Sequence, residues 1–213
     1  MKIYRSVIAG LVGAWFILSL AASAGGVFKN DSNSLALPVG VAALAPIVLF
    51  FVWFAASPGF REFLLGLSPG TLTLAQTWRV NGFIFLVLSA YGALPKPFAL
   101  PAGLGDMAIG LTAPWIAAKF ANPEHKGGFI FWQILGIADL VNAVALGTTA
   151  TLINPSGPGM GPMTVLPLSL IPTFFVPLLL IFHVTCIAQA RRWPERSYSR
   201  MGRPEQVSAF GRR

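Results

Sequence analysis

The sequence predicts an all-α fold, a polytopic integral membrane bundle of six transmembrane helices, on three observations. Only 10% of the 213 residues are charged while 55% are hydrophobic, and the mean hydropathy is +0.70. Soluble domains carry about 25% charged residues, so a water-soluble fold of this composition could not cover its surface. The apolar residues fall in long blocks, each near the ~20 residues that cross a bilayer. A backbone inside a bilayer must satisfy its own hydrogen bonds, which leaves helices or closed barrels. Barrel strands alternate in polarity over ~10 residues, and runs such as VAALAPIVLFFVWFAA do not alternate.

The first span is expected over about 7–27, following Lys2 and Arg5. Those cations, the apolar run and the small residues Ala22, Ser23 and Ala24 also have the form of a signal peptide, whose removal would leave five spans. The apolar stretch continues to Phe28, longer than the usual ~7–15-residue hydrophobic region of such a peptide, and this favours an uncleaved span. The second span is expected over about 36–56, between the turn-forming stretches KNDSNS and SPGFRE. The third runs to 94 from a start near either Leu72 or Val80. The fourth, about 98–118, follows LPKP, and the fifth, about 129–152, follows NPEHKGG. The sixth, about 164–190, follows NPSGPGMGP and carries Pro162, Pro167, Pro172 and Pro177 at five-residue spacing. Pro162 and Pro167 read as the entrance to the helix. Pro172 and Pro177 lie further in, where a proline removes a backbone hydrogen bond and kinks a helix. Residues 1–190 thus form one transmembrane domain, and 191–213 a basic cytoplasmic tail.

Cytoplasmic loops are enriched in Lys and Arg, and this orients the bundle. With the N-terminus inside, the inner side holds Lys2, Arg5, Arg61, Arg79, Lys119, Lys126 and seven tail arginines, and the outer side only Lys29 and Lys96. The expected location is the cell (plasma) membrane with a cytoplasmic C-terminus. The net charge of +8 arises largely from the tail, which points to anionic lipid as its partner and not to nucleic acid. The single cysteine, Cys186, excludes an internal disulfide framework and a multi-cysteine metal site. No metal site and no cofactor are expected. The P-loop and His-Glu-x-x-His signatures are absent from the sequence.

Two carboxylates stand apart from this apolar background. Asp106 lies ~12 Å along the fourth span from its outer edge, and Asp139 ~15 Å along the fifth from its inner edge. In a hydrocarbon core ~30 Å thick both are near mid-depth, on antiparallel helices joined by a short loop. Positions three and four away from Asp106 are Ala102, Gly103, Ile109 and Gly110; those around Asp139 are Leu135, Gly136, Asn142 and Ala143. Small residues mark the face of a membrane helix that packs on another helix, so both acids are expected to point into the bundle. A short echo links GLGDMAIG with GIADLVNA, and WRVNG with WQILG; repeats of this kind occur in transporters.

Arg79 and Asn81 complete the candidate binding set with Asp106, Asp139 and Asn142. If the third helix starts near Leu72, Arg79 is ~10 Å deep and Asn81 ~13 Å deep, and Arg79 is the natural counter-ion for an aspartate. If it starts near Val80, Arg79 instead snorkels to inner-leaflet phosphates. Asn142 and Gln133 can serve as interhelical hydrogen-bond glue. His183, ~27 Å from the outer end of the sixth span, reads as an interfacial histidine. His125 falls in a loop, which leaves His183 without a partner for haem ligation.

GLGD, from Gly103 to Asp106, resembles the Gly-x-Gly-Asp motif of intramembrane aspartyl proteases. The resemblance implies paired-carboxylate activation of water, with Asp139 as the partner acid. It covers four residues, and the order differs from presenilin-like enzymes, in which this aspartate comes second. No residue is assigned a catalytic role on this basis. The leading expectation is a protein that binds or transports a small solute or ion, with the two aspartates taking up a proton or cation. The rival is a structural or accessory membrane subunit whose carboxylates pin helices together, with intramembrane proteolysis a third reading.

Overall fold

The computed structural model describes residues 2–30, 36–153 and 157–194. They are helical almost throughout, with no strand among them. Four helices are long and apolar enough to cross a membrane, Tyr4–Ala24, Leu37–Ala56, Pro123–Ala150 and Ile171–Arg191. The basic tail from residue 195 onward lies outside the described residues.

Helix α1 (Lys2–Ala24) lies along the bundle and α2 (Leu37–Ala56) presents most of its apolar side chains outward. At Ser57 the chain turns into a short helix, α3 (Pro58–Leu65), where the Ser57 hydroxyl accepts from the Phe60 amide at 3.3 Å and Pro58 occupies the first turn. Both are good helix-start residues, because first-turn amides have no intrahelical acceptor. Arg61 then reaches back to the end of α2, donating to the carbonyls of Phe54 and Ala55 at 3.1 and 2.9 Å. Those carbonyls belong to the last turn, which lacks its own donors.

The third predicted span is a composite. Helix α4 (Pro69–Leu74), capped by Ser68, runs into a 3₁₀ segment (Ala75–Gly82) and then α5 (Phe83–Ala90). Its helical start, at Pro69, agrees with the earlier of the two expected starts and rules out the later one. Arg79 is 3% exposed and therefore does not snorkel. The tighter 3₁₀ winding lies where this segment packs directly on α6 (Lys96–Lys119). A methyl group on Gly110 would meet the Val80 amide nitrogen and the Arg79 carbonyl carbon, so backbone touches backbone there. Helix α6 is long, but Asp106, three glycines, Pro101 and Pro114 dilute its apolar character.

Helix α7 (Lys126–Ile153) follows a cap in which the Asn122 side chain accepts from the His125 amide at 3.2 Å. The last predicted span differs from expectation over its first residues. A helix was expected from about 164; residues 161–164 form a 3₁₀ turn, Val165 is extended, a π turn covers Ile171–Phe175, and only then does α8 (Val176–Arg191) begin. Proline disfavours helical geometry in the residue before it, which accounts for the interruption at Pro167. Pro177 has no N–H for the Thr173 carbonyl one turn earlier. The Trp15 indole of α1 donates to that freed carbonyl at 3.2 Å, with Trp15 and Phe16 packed on the Phe174 ring. A proline defect in one helix thus becomes the anchor for another.

Candidate functional site

Beside a cluster around Phe50, Phe60 and Phe63, the buried core has two more, an upper one that includes Phe85, Leu94 and Phe98 and a lower one that includes Leu72, Phe129 and Trp132. Arg79 lies between them and donates in four directions. Its Nε donates to Asp106 Oδ1 at 2.7 Å and its Nη2 to Asp139 Oδ2. Its Nη1 donates to the Gly136 carbonyl at 3.1 Å and meets His183 Nε2 at 3.3 Å. One guanidinium therefore ties α6, α7 and α8 to the 3₁₀ segment that carries it. Planar guanidinium geometry suits this role, since five N–H groups leave in fixed directions.

Glycine is required where these groups approach a neighbouring helix. A methyl on Gly105 of α6 would occupy the position of the Asp139 carboxylate, and one on Gly136 of α7 would overlap the His183 ring.

A hydrogen-bond chain extends from Arg79 toward the lower core. Arginine only donates, so His183 Nε2 must accept and the ring proton sits on Nδ1. That nitrogen contacts Gln133 Oε1, which accepts the proton's hydrogen bond. Gln133 Nε2 then donates to Thr73 Oγ1 at 3.0 Å, and Thr73 Oγ1 lies 3.8 Å from Cys186 Sγ. The Cys186 thiol in turn donates to the Pro69 carbonyl at 3.7 Å. Every donor in this chain has an acceptor when His183 is neutral. His183, Gln133 and Thr73 are all fully buried.

Three of the five residues singled out by sequence, Arg79, Asp106 and Asp139, meet in this cluster. Asn81 and Asn142 do not. Asn81 is exposed and its amide donates to the Trp78 carbonyl at 2.8 Å. Asn142, one turn beyond Asp139, falls on the outward stripe of α7 with Phe131, Leu135 and Ala138. His183 and Gln133 belong to the cluster although sequence placed the first at the membrane interface and the second as general glue. Because the helical part of the last span begins near residue 171, His183 lies only ~18 Å along it, level with Arg79. The available signal was Gly136, the last residue of the WQILG echo, which leaves room for a ring from a facing helix.

Above the cluster is a cavity of about 320 Å³ that reaches the bundle end where Asn30, Ala36 and Gly161 lie. Among the described residues Asp106 is the ionisable one in its lining, which is otherwise mostly apolar. Each carboxylate uses one oxygen on Arg79 and remains partly open, with side chains 14% and 15% exposed for Asp106 and Asp139. Among the described residues no group of three or more His, Cys, Asp or Glu side chains is placed to hold a metal ion.

The fold and this site define a class: an all-helical protein with four helices long and apolar enough to cross a membrane, and an Arg–Asp–Asp charge cluster set among its helices. The chain belongs to the family described as Domain of unknown function (DUF8737), which matches residues 35–191. No curated protein and no solved structure matches it.

Proposed function

We propose that this protein binds a small solute or ion at mid-membrane and carries it across the cell membrane, with Asp106 and Asp139 as proton- or cation-binding carboxylates. One observation carries the reading. A single guanidinium stands between two carboxylates and His183 is held neutral by its hydrogen bonds. With both acids ionised the cluster has one negative charge in excess. Such a charge inside the hydrocarbon region is costly, and uptake of a proton or a cation removes it. The cavity at Asp106 supplies access. The same geometry disfavours the proteolytic reading, because an aspartyl dyad shares a proton over an attacking water, and here Arg79 binds both acids.

The proposal takes the composite third segment and α6 as spans beside the four apolar helices, six in all, with both termini cytoplasmic. The contacts of Trp15 and Ser23 with the last span support an uncleaved α1. The native Cys186 is buried, so introduced cysteines report cleanly. Lys96→Cys should react with an impermeant maleimide in intact cells and Lys126→Cys only after permeabilisation; the reverse pattern would sink this topology.

The rival reading, a helix-pinning cluster in an accessory subunit, draws on the same four Arg79 bonds. Infrared titration of the purified protein in lipid nanodiscs separates the two. Binding of a proton predicts a carboxylic-acid band that titrates in the wild type and is lost in Asp106→Asn or Asp139→Asn, with the thermal midpoint nearly unchanged. Asp106→Leu, which leaves the Arg79 Nε without an acceptor, should cost about 1–3 kcal/mol. If no acid band titrates and the Asn variants are functionally silent, the carboxylates are pins.

A further inference from the structure

We infer that the cavity above Asp106 is a binding site for a small organic ammonium ion with an apolar body. The inference rests on the proposed role of Asp106 as a cation-binding carboxylate and adds the chemical class of the ligand.

Size sets the first bound. A cavity of about 320 Å³ is in the range of small-molecule sites. At ~30 Å³ per water-sized unit it holds a molecule of about ten non-hydrogen atoms. A bare metal ion or a proton leaves most of this volume unused. The lining sets the second bound. Phe85, Phe98, Leu140, Met160 and Met163 form apolar walls, and the Phe85 and Phe98 rings lie 5.3 Å apart in a tilted pair. Aromatic faces and thioethers accommodate an apolar body and also tolerate an adjacent positive charge. Such walls give no hydration to a fully polar solute.

Charge sets the third. Among the described residues Asp106 is the single ionisable group on the lining. Arg79 engages its Oδ1, and Oδ2 makes no hydrogen bond among the described residues. An ammonium N–H donor can meet that oxygen with a charge-assisted hydrogen bond and supply the positive charge that the cluster lacks. A carboxylate ligand would meet like charge. An alcohol could donate the hydrogen bond but would leave the excess charge in place.

The test is equilibrium binding to the full-length protein in lipid nanodiscs, read by calorimetry, with three probes of one shape: 2-phenylethylamine, 2-phenylethanol and phenylacetate. The amine should bind at least about tenfold more tightly than the alcohol, the advantage of a charged over a neutral hydrogen bond. Phenylacetate should not bind measurably. Asp106→Asn should bring the amine down to the affinity of the alcohol. Ala43→Phe, on the peripheral α2 and facing the cavity, should weaken both by filling the space while leaving the thermal midpoint in place. Equal binding of amine and alcohol by the wild type, or an amine preference that survives Asp106→Asn, overturns the inference. If the infrared acid band still titrates in that case, the carboxylate reading stands and only the ligand class is wrong. If the band is absent as well, both fail.

Discussion

Replacing Arg79 with Met should destabilise the folded protein by about 3–5 kcal/mol, the cost of breaking a buried ion pair by removing one partner. Met preserves much of the apolar stem and removes every donor. Two carboxylates, the Gly136 carbonyl and His183 Nε2 then lose their partner at once. Arg79→Lys should recover only part of the loss, because one ammonium cannot reproduce a planar fork aimed at three helices. Converting both acids to Asn in the Arg79→Met background should restore much of the stability, since removing a whole buried charge set is far cheaper than orphaning its members. Reversible unfolding in mixed micelles gives the comparison. A single Arg79→Met variant as stable as the wild type would mean that the cluster does not organise the bundle.

Gly105→Ala tests packing against propensity, and the two predict opposite signs. Alanine is favoured over glycine inside a helix by about 0.8–1 kcal/mol, so propensity alone predicts stabilisation. At Gly105, however, the new methyl would take the position of the Asp139 carboxylate oxygen. The expected result is a net loss of about 1–3 kcal/mol from overpacking, together with displacement of Asp139 and loss of its titrating infrared band. Gly136→Ala should behave alike through the His183 ring. Gly13→Ala on α1, where a methyl meets nothing within 4 Å, is the control and should be neutral or slightly stabilising. Stabilisation at Gly105 equal to that at Gly13 would show that α6 and α7 do not approach as described.

Much of the site was legible because depth and face follow from helical arithmetic. Asp106 and Asp139 had small residues one turn away, and that pattern was enough to turn both inward. Arg79 was half legible: its pairing depended on whether the third helix starts near residue 72 or 80, and the local sequence is compatible with both. The depth of His183 depends on where its helix starts, and proline chemistry moves that start about seven residues along the chain from 164. Asn142 has helical spacing from Asp139, yet the ~60° between them around α7 is enough to turn it outward.

What the sequence by itself determined is the class of fold and the unusual chemistry within it. Long apolar blocks require helices because a bilayer offers the backbone no other hydrogen-bond partners, and ionisable groups inside those blocks stand out because burying them is costly. Tertiary structure alone decided which of those groups meet. The Arg79 fork joins acids 27 and 60 residues away and a histidine 104 residues away. The close approach that permits it depends on Gly105 and Gly136 lying opposite side chains of other helices. No local propensity encodes such contacts, because they exist only between helices that have already packed.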